Sequence, residues 1–422
     1  MRLLYDIFFI LFSLFYVPYL FFRGRLHRDF PQKFGFLGRE ITELDSPVWI
    51  HAVSVGEASL AAKLAAGIKE LFPSQPVIVS TTTRTGNDMI RKLGRGIVDS
   101  VFYYPLDISL IVSKTIRSIA PRLFIMIETE LWPNMLERMK AGRIPVILAN
   151  GRISEKSFRN YRRIGPVTAR LMNCIDAFYM QSVGDAERVT LLGAPGEKVK
   201  IAGNMKFDEQ KKEGPVPFTR RALGFEKDAP LIVAGSTHFP EENILIDIYL
   251  ELRARIPSLG LVIAPRHVER SEAVRLYLEK KGVKYRDLSS VLHKDPSSAG
   301  EYNVLMVDTI GHLKDIFGIA DVVFIGKSLV AEGGQNPIEA AVWGKPVVFG
   351  ENMSNFKEVS QIFLENEAAL MVKDEEELKK TLESLLTDED RREALSRNAL
   401  RMIEKNSGAV RRTLEGIKGY LL

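Results

Sequence analysis

The chain has 422 residues, of which 46% are hydrophobic and 26% charged, a composition that is typical of globular proteins and excludes a disordered one. Its length favours two domains over a single core. The formal net charge of +5 fits an anionic ligand or a membrane surface without requiring nucleic acid as a partner. The single cysteine, Cys174, excludes an internal disulfide, and no Cys/His cluster indicates a metal, so we expect neither metal nor cofactor.

The first feature of the chain is an apolar run at residues 3–22, interrupted by one charge, Asp6. It is long enough to cross the hydrocarbon core of a bilayer. Basic residues follow it at once, from Arg23 to Lys33, and the positive-inside rule then places the rest of the protein in the cytoplasm. We therefore predict a membrane anchor at residues 1–28. A cleaved signal peptide and an interfacial helix are the alternatives, the latter because Asp6 and Pro18 weaken a clean span.

From residue 47 onward, short apolar segments rich in β-branched residues alternate with helical stretches such as 58–71 and 155–174. Such segments are typical of strands in parallel sheets that are covered on both faces. The predicted strands are 48–53, 77–81, 100–104, 123–127, 146–150 and 177–181, then 231–234, 261–264, 283–285, 304–307, 322–325 and 347–349. The pattern predicts an α/β protein with two Rossmann-like domains, residues 29–208 and 218–400, facing a cleft. A charged, proline-containing linker at 209–217 separates them, and a C-terminal helix occupies 401–422.

The first chemical motif is the segment HAVSVGE, which leaves the first predicted strand and enters a helix. Ser54 and Glu57 have the spacing of a capping box, which is a purely structural interpretation. Glu57 also lies beyond the carboxyl end of a strand, where open α/β sheets bind ligands. There its carboxylate would be placed to take a proton from an attacking hydroxyl.

The second motif, IETELWPN, places two carboxylates after an apolar strand. Alternation along an extended chain predicts Glu128 and Glu130 on the same side. The alternative is that one of them only caps the following helix, a role that suits Glu130 better than Glu128.

Polar and basic groups also follow predicted strands in both halves of the chain. They are Lys206, then Ser236, Thr237 and His238 in GSTH, and Arg266 and His267 in APRHVER. Any one of them could be a solvated surface group. Their repeated position at strand ends instead indicates a site for an anionic substrate.

A glycine-rich turn, GGQNP, connects a buried strand to the next predicted helix. Gly333 and Gly334 permit close backbone approach, and Asn336 is a good N-cap before Pro337. Glu339, one turn further, is available to a ligand hydroxyl. The turn is either an anion seat at the positive end of a helix dipole or an ordinary helix start.

Taken together, the segments IHAVSVGEA, IMIETELWPN, ILANGRIS, AGNMKFD, AGSTH, APRHVER, VDTIGHL and GGQNPIEAA, in this order, resemble the 3-deoxy-D-manno-octulosonic acid (Kdo) transferases of Gram-negative lipopolysaccharide synthesis, glycosyltransferase family 30. The similarity runs from about Arg23 to the C-terminal region. It implies a GT-B fold, with the first domain binding the acceptor and the second the CMP-sugar. It also implies Kdo transfer from CMP-Kdo to the lipid A precursor lipid IVA at the cytoplasmic face of the inner membrane.

The resemblance assigns roles to individual residues. Glu57 is expected to be the general base, with Glu128 and Lys206 supporting the transition state. The expected CMP-Kdo site comprises Pro265, Arg266, Ile310, Gly311, His312, Leu313, Gly333, Gly334, Gln335, Asn336 and Glu339, beside Ser236, Thr237 and His238. His312 is a departure, because relatives carry an acidic residue at this position.

This chemistry agrees with the residues themselves. CMP-Kdo carries a phosphate and a carboxylate, which match the cationic groups, and its leaving group needs no strong acid. One base without a second nucleophile predicts inversion at the anomeric carbon. The alternatives are a GT-B transferase that uses a UDP-sugar on a membrane lipid, a nucleotide-sugar epimerase, and a non-catalytic membrane-anchored binding protein.

Overall fold

A computed structural model of the chain describes residues 5–7, 9, 11, 29–208, 218–293, 302–331 and 333–422. The predicted anchor lies largely outside these residues, and the predicted linker lies entirely outside them. Within the described part, none of the helices combines the length and the apolar composition needed to cross a membrane. The chain divides into two compact units, Met1–Asp208 with Asn406–Leu422, and Glu209–Lys405.

The first unit is built on a seven-stranded parallel sheet with the strand order β3-β2-β1-β4-β5-β6-β7. Its strands are β1 (Val48–Ala52), β2 (Val77–Thr81), β3 (Ser100–Tyr103), β4 (Leu123–Ile127), β5 (Val146–Gly151), β6 (Ala177–Met180) and β7 (Val199–Ile201). Its helices before the second unit are α1 (Arg39–Thr42), α2 (Val55–Leu71), α3 (Arg84–Leu93), α4 (Ser109–Ile119), α5 (Pro133–Ala141), α6 (Glu155–Arg163), α7 (Gly165–Met172) and α8 (Val183–Leu191).

Helices cover both faces of this sheet, and the strand sequences explain why. In β1, Val48 and Ile50 pack into one hydrophobic core while Trp49 packs into the core on the opposite face, as alternation along a strand requires. The chain moves outward from β1 in one direction and returns to start β4 on the other side. The carboxyl ends of β1 and β4 therefore form the topological switch point of the sheet, where α/β proteins bind ligands.

The second unit repeats this design with the strand order β10-β11-β9-β8-β12-β13-β14, again all parallel. Its strands are β8 (Leu231–Thr237), β9 (Gly260–Pro265), β10 (Tyr285–Asp287), β11 (Val304–Met306), β12 (Val322–Ile325), β13 (Val347–Gly350) and β14 (Ala369–Val372). Its helices are α9 (Glu241–Arg253), α10 (Ser271–Lys280), α11 (Leu288–Leu292), α12 (Leu313–Ile316), α13 (Ile338–Ala341), α14 (Lys357–Glu365), α15 (Glu375–Thr387) and α16 (Glu389–Asn406). Here β8 and β12 form the switch point.

The C-terminal residues differ from the single helix predicted at 401–422. Helix α16 ends at Asn406, and a separate helix α17 (Ala409–Ile417) groups with the first unit. Leu414 of α17 lies against Gly67 of α2, where a side chain on residue 67 would collide with it. Asp208 accepts a hydrogen bond from the backbone N–H of Val410 at 2.5 Å and so caps α17.

Most predicted strands are present, and the remaining differences have local causes. The predicted helix at 155–174 is two helices, because the chain breaks at Ile164 and Pro166 lies in the first turn of α7. The strand predicted at 283–285 is β10, shifted to Tyr285–Asp287. Strands β7 and β14 were not predicted, since both lie at sheet edges and carry exposed residues.

Candidate functional site

The side chain of Glu57 is held firmly at the start of α2, just beyond the end of β1. Its Oε2 accepts a hydrogen bond from the N–H of Val53 at 2.7 Å, and its Oε1 accepts one from Ser54 Oγ at 2.8 Å. Ser54 Oγ in turn accepts from the N–H of Glu57 at 3.3 Å, which is one half of the expected capping box. In the other half, Glu57 accepts from the N–H of Val53 in place of that of Ser54. Only 8% of Glu57 is exposed, and each carboxylate oxygen keeps a second lone pair for another donor.

Glu128 and Glu130 follow β4, the neighbour of β1 in the sheet. The backbone of Glu128 is left-handed, with φ at 60°, and its N–H donates to the carbonyl of Ala149 at 3.0 Å. The suggestion that Glu130 caps the next helix is wrong. Asp107 does so, accepting from the N–H groups of Asn134 at 3.0 Å and Met135 at 2.9 Å.

Glu130 is instead part of a cluster of three carboxylates with Glu57 and Glu128. Burial, together with the negative charges of Glu57 and Glu128, raises the pKa of Glu130 to about 7. The three side chains are thus close enough to interact electrostatically at the β1/β4 switch point. Glu130 was assigned a capping role from the sequence, because the pattern does not show that Asp107 takes that role.

An aromatic stack lies beside these carboxylates. The ring of His51 stacks on that of Tyr104 at a centroid distance of 3.8 Å, and Tyr104 contacts Trp132 at 5.6 Å. Burial lowers the pKa of His51 to about 3, so this imidazole is neutral, and its Nδ1 lies 3.0 Å from Ser80 Oγ. In the part of the chain that the structure describes, His51 Nε2, Tyr104 Oη and Trp132 Nε1 are buried without hydrogen-bond partners.

Lys206 lies in a short 3₁₀ turn, Met205–Phe207, that follows β7. Although β7 is the edge strand, the turn is tied to the middle of the sheet, because Asn150 Oδ1 accepts from the N–H of Met205 at 2.9 Å. Asn150 is the penultimate residue of β5, which pairs with the strand that precedes Glu128, and it has a left-handed φ of 53°. It was not assigned a role from the sequence, although asparagine near the end of a strand is a signal for this conformation.

In the second unit, the expected substrate-binding residues meet at the carboxyl ends of β8 and β9. Ser236 has a left-handed φ of 55°, and its carbonyl lies 3.3 Å from His238 Nδ1. Thr237 is fully buried, and its carbonyl accepts from the N–H of Arg266 at 3.0 Å. Arg266 itself is exposed and follows the buried Pro265, so its guanidinium is available to a ligand.

A buried carboxylate that the sequence analysis missed holds this region together. Glu241 is fully buried at the start of α9 and accepts four backbone hydrogen bonds. One comes from His238 at 3.0 Å, and the others come from Lys327 at 2.6 Å and from Ser328 and Leu329 at 2.9 Å. Glu241 therefore fixes the segment after β8 against the segment after β12. The only signal in the sequence is an acidic pair directly after GSTHFP.

The glycine turn after β12 has the expected backbone freedom, with φ at 130° for Gly333 and 65° for Gly334. A side chain on residue 334 would meet Met353, so this glycine is required by packing within the protein. The expected helix-dipole seat is not formed as predicted, because α13 has only four residues and Pro337 is its N-cap. Asn336 Oδ1 still accepts from the N–H of Ile338, at 3.2 Å. Gln335 is partly buried in the same turn.

The remaining predicted residues are the segment 310–313, which follows β11, and Glu339, which lies in α13. Ile310 is 76% exposed, and Gly311 has a φ of 100°. The ring of His312 meets Phe218 edge to face at 5.8 Å, and Leu313 lies against Gly235 of β8. Glu339 Oε1 accepts a weak hydrogen bond from Asn336 Nδ2 at 3.4 Å.

The histidine of GSTH is kept neutral. Burial lowers the pKa of His238, and the nearby positive charge of Lys327 adds to this effect, while the Ser236 carbonyl opposes it. His267 meets His238 edge to face at 5.6 Å. Over the described ranges, no group of three or more His, Cys, Asp or Glu side chains is arranged to hold a metal ion.

Residues 28–209 match the family described as 3-deoxy-D-manno-octulosonic-acid transferase (kdotransferase). The chain is 31% identical over 402 residues to the 3-deoxy-D-manno-octulosonic acid transferase of Haemophilus influenzae, an alignment that covers 94% of this chain and 92% of the relative. Two solved structures share the fold at low identity. A UDP-GlcNAc 2-epimerase from Neisseria meningitidis has a TM-score of 0.59 at 13% identity, over 88% of this chain and 100% of that one. A glycosyltransferase from Rickettsia africae has a TM-score of 0.56 at 10% identity, over 89% and 99%.

The two parallel-sheet α/β units therefore resemble those of GT-B glycosyltransferases, and the similarity in sequence extends over nearly the whole chain. The chain is an enzyme and belongs to the 3-deoxy-D-manno-octulosonic-acid transferase family.

Proposed function

We propose that the chain is an inverting glycosyltransferase that moves Kdo from CMP-Kdo to the lipid A precursor lipid IVA in lipopolysaccharide synthesis. The observation that carries this proposal is the cluster of three carboxylates at the β1/β4 switch point. There Glu57 is held by hydrogen bonds from Val53 and Ser54 and interacts electrostatically with Glu130, as Glu128 also does. A fixed, ionisable oxygen at this edge of a sheet is what a transferase needs to accept a proton from an incoming hydroxyl.

In this proposal, Glu57 takes the proton of the acceptor hydroxyl while the oxygen of that hydroxyl attacks the anomeric carbon of Kdo. The bond from that carbon to the CMP phosphate breaks, and its electron pair leaves with CMP. Attack from the face opposite the leaving group inverts the anomeric configuration. Glu128 and Lys206 stabilise the charge that moves in the transition state, and the proton on Glu57 then passes to solvent.

The second unit supplies the donor site in this proposal. The segments that carry Ser236 to His238, Arg266 and the Gly333 turn lie at or after the carboxyl ends of strands in its sheet. Exposed Arg266 supplies a charge-assisted hydrogen bond to the CMP phosphate. A GT-B transferase with a UDP-sugar donor is the competing possibility, because the same architecture occurs in proteins that bind UDP-sugars.

Two measurements test the reaction. Mass spectrometry of the product formed from CMP-Kdo and tetraacylated lipid A precursor should show addition of Kdo, and it reports how many residues are added. Competition between CMP and UDP for the purified enzyme should favour CMP. A product that lacks Kdo, or tighter binding of UDP, would contradict the proposal.

We further propose that residues 3–22 hold the enzyme at the cytoplasmic face of the bacterial inner membrane. The sequence favoured a single-pass anchor, with an interfacial helix and a cleaved signal peptide as the alternatives. Asp6 accepts hydrogen bonds from Ser109 Oγ at 2.5 Å and from Asn134 Nδ2 at 2.8 Å. These contacts favour the interfacial arrangement. The basic cluster after the segment places the folded unit in the cytoplasm, and a spanning segment would put Asp6 on the opposite side of the bilayer from that unit.

Labelling distinguishes the two arrangements. A cysteine placed at residue 2 of a Cys174→Ser protein should resist a membrane-impermeant maleimide added outside spheroplasts and should react after lysis. Labelling before lysis would show that the segment spans the membrane. A cysteine at Lys284, exposed in the second unit, serves as the cytoplasmic control.

A further inference from the structure

We propose that Lys327 binds an anionic group of the donor, either the nucleotide phosphate or the carboxylate of the sugar. This inference rests on the proposed function, since it assigns a contact within the proposed donor site. Neither the sequence motifs nor the resemblance singles out Lys327. The structure does so through its position, its side-chain environment and its backbone conformation.

The position of Lys327 is the switch point of the second sheet. It is the second residue after β12, whose neighbour β8 ends with Ser236 and Thr237 and leads into His238. The two strand ends touch, because a side chain on Gly326 would lie 2.6 Å from the carbonyl oxygen of Ser236. Lys327 is therefore beside GSTH at the edge where open α/β sheets bind their ligands.

The side chain of Lys327 extends along the glycine turn. Its Cε and Nζ each lie 3.3 Å from the point that a β-carbon on Gly333 would occupy. The carbonyl of Lys327 accepts from the N–H of Gly334 at 2.7 Å, which closes the turn over the same residue. The ammonium is thus directed to the backbone segment that is expected to approach the donor phosphate.

The positive charge of Lys327 is not paired with an anionic group in the part of the protein that the structure describes. Its ammonium has no hydrogen bond or ion pair there, although the residue is partly buried. Its positive charge helps to lower the pKa of His238. An anionic ligand at this position would provide the ammonium with a partner.

The backbone of Lys327 has a conformation that favours glycine. Its φ is 57°, in the left-handed region where a side chain costs about 1 kcal/mol and glycine is preferred. Glu241 enforces this conformation by accepting from the N–H groups of Lys327 and of the next two residues. Glycine would adopt this backbone conformation at a lower cost in free energy, so Lys327 can be replaced by glycine without straining the fold.

The same feature provides a clean test. Lys327→Gly removes the ammonium while relieving the backbone, so its melting temperature should not fall. Calorimetric titration at low ionic strength should show CMP binding weakened about tenfold or more, the scale of one charge-assisted hydrogen bond, with cytidine binding unchanged. Lys327→Arg should retain most of the CMP affinity. Lys284→Met, which removes an exposed charge ahead of β10, is the matched control and should bind CMP as the wild type does.

Each outcome has a defined meaning. Loss of CMP affinity without loss of cytidine affinity identifies the phosphate as the partner. Unchanged CMP affinity with a raised KM for CMP-Kdo identifies the sugar carboxylate and also supports the inference. Unchanged values for both ligands, or equal losses for CMP and cytidine, would overturn it while leaving the proposed function intact. Wild-type protein that binds UDP but not CMP would overturn the proposed donor and this inference together.

Discussion

Ser54 Oγ donates a hydrogen bond to Glu57 Oε1 at 2.8 Å and accepts one from the N–H of Glu57 at 3.3 Å. The residue proposed as the base is therefore also part of the N-terminal cap of α2. The two roles are compatible, because each carboxylate oxygen accepts one internal hydrogen bond and keeps a lone pair. They can be separated by experiment, since capping affects stability and proton transfer affects turnover.

Glu57→Gln should lower turnover by ~100-fold or more while CMP affinity changes little. Glutamine has the same shape, its carbonyl can accept from Val53, and Ser54 can accept from its amide, so the fold should persist. Steady-state kinetics and CMP titration measure the two effects. Ser154→Ala removes a comparable cap from α6 and should cost ~1 kcal/mol of stability without loss of turnover in the folded fraction. Near-normal turnover in Glu57→Gln would refute the assignment of the base.

Glu130→Gln should make the protein more stable at pH 8 and have little effect at pH 5. The pKa of Glu130 is raised to about 7, so between its ordinary value and 7 the folded state holds a proton that the unfolded state has released. The contribution of Glu130 to the free energy of unfolding is therefore most favourable at low pH and is lost as the pH rises towards 7. Thermal denaturation across pH 4 to 8 measures the slope, and an unchanged slope in the variant would contradict the prediction.

Arg266→Ala should weaken CMP binding by about tenfold, because it removes a charge-assisted hydrogen bond to the phosphate. The fold should be unaffected, since the Arg266 side chain is exposed and only its backbone N–H is used, by Thr237. Arg221→Ala, an exposed arginine elsewhere in the second unit, is the matched control. Equal affinities in both variants would remove Arg266 from the donor site.

Transfer of Kdo should continue in the presence of EDTA, because the single phosphate of CMP-Kdo needs no chelated cation and the sequence motifs assign no metal ligands. Initial rates with and without chelator measure this. Loss of activity that magnesium restores would show that a metal ion takes part.

Removing residues 1–28 should leave CMP binding intact but make Kdo transfer slower to acceptor in vesicles than to acceptor in detergent. The lipid A precursor keeps its acyl chains in the bilayer, so the enzyme must be held at the interface to reach the sugar. Loss of the Asp6 contacts to Ser109 and Asn134 should also cost ~1 kcal/mol, the scale of a lost helix cap.

The full-length protein with Arg25 and Arg28 changed to Glu should show the same vesicle-specific defect, dependent on ionic strength. The variant Asp6→Asn should weaken docking of the segment without changing the basic cluster, because it leaves one acceptor oxygen in place of two for Ser109 and Asn134. Equal rates on vesicles and in detergent for the truncated protein would show that the segment does not position the enzyme.

The amino-acid sequence by itself determined the alternating α/β pattern, the two-unit organisation and the family. Short apolar β-branched segments such as 123–127 are readable because a parallel strand buries both faces, and their periodicity survives any change in tertiary context. The motifs at the strand ends were readable for a related reason. Parallel topology brings the carboxyl ends of strands to one edge, so the position of Glu57 and Glu128 followed from their place in the pattern.

Only the tertiary structure decided how those residues are supported. Asp107 replaces Glu130 as the cap of α5, Asn150 ties the Lys206 turn to the centre of its sheet, and Glu241 joins two segments 86 residues apart. Such hydrogen bonds join residues that are distant in the chain, and a sequence pattern contains no information on which acceptor reaches which N–H group. For the same reason, Lys327 could not be identified from the sequence. Its proposed role depends on the pairing of β8 with β12 and on a left-handed φ that no local motif requires.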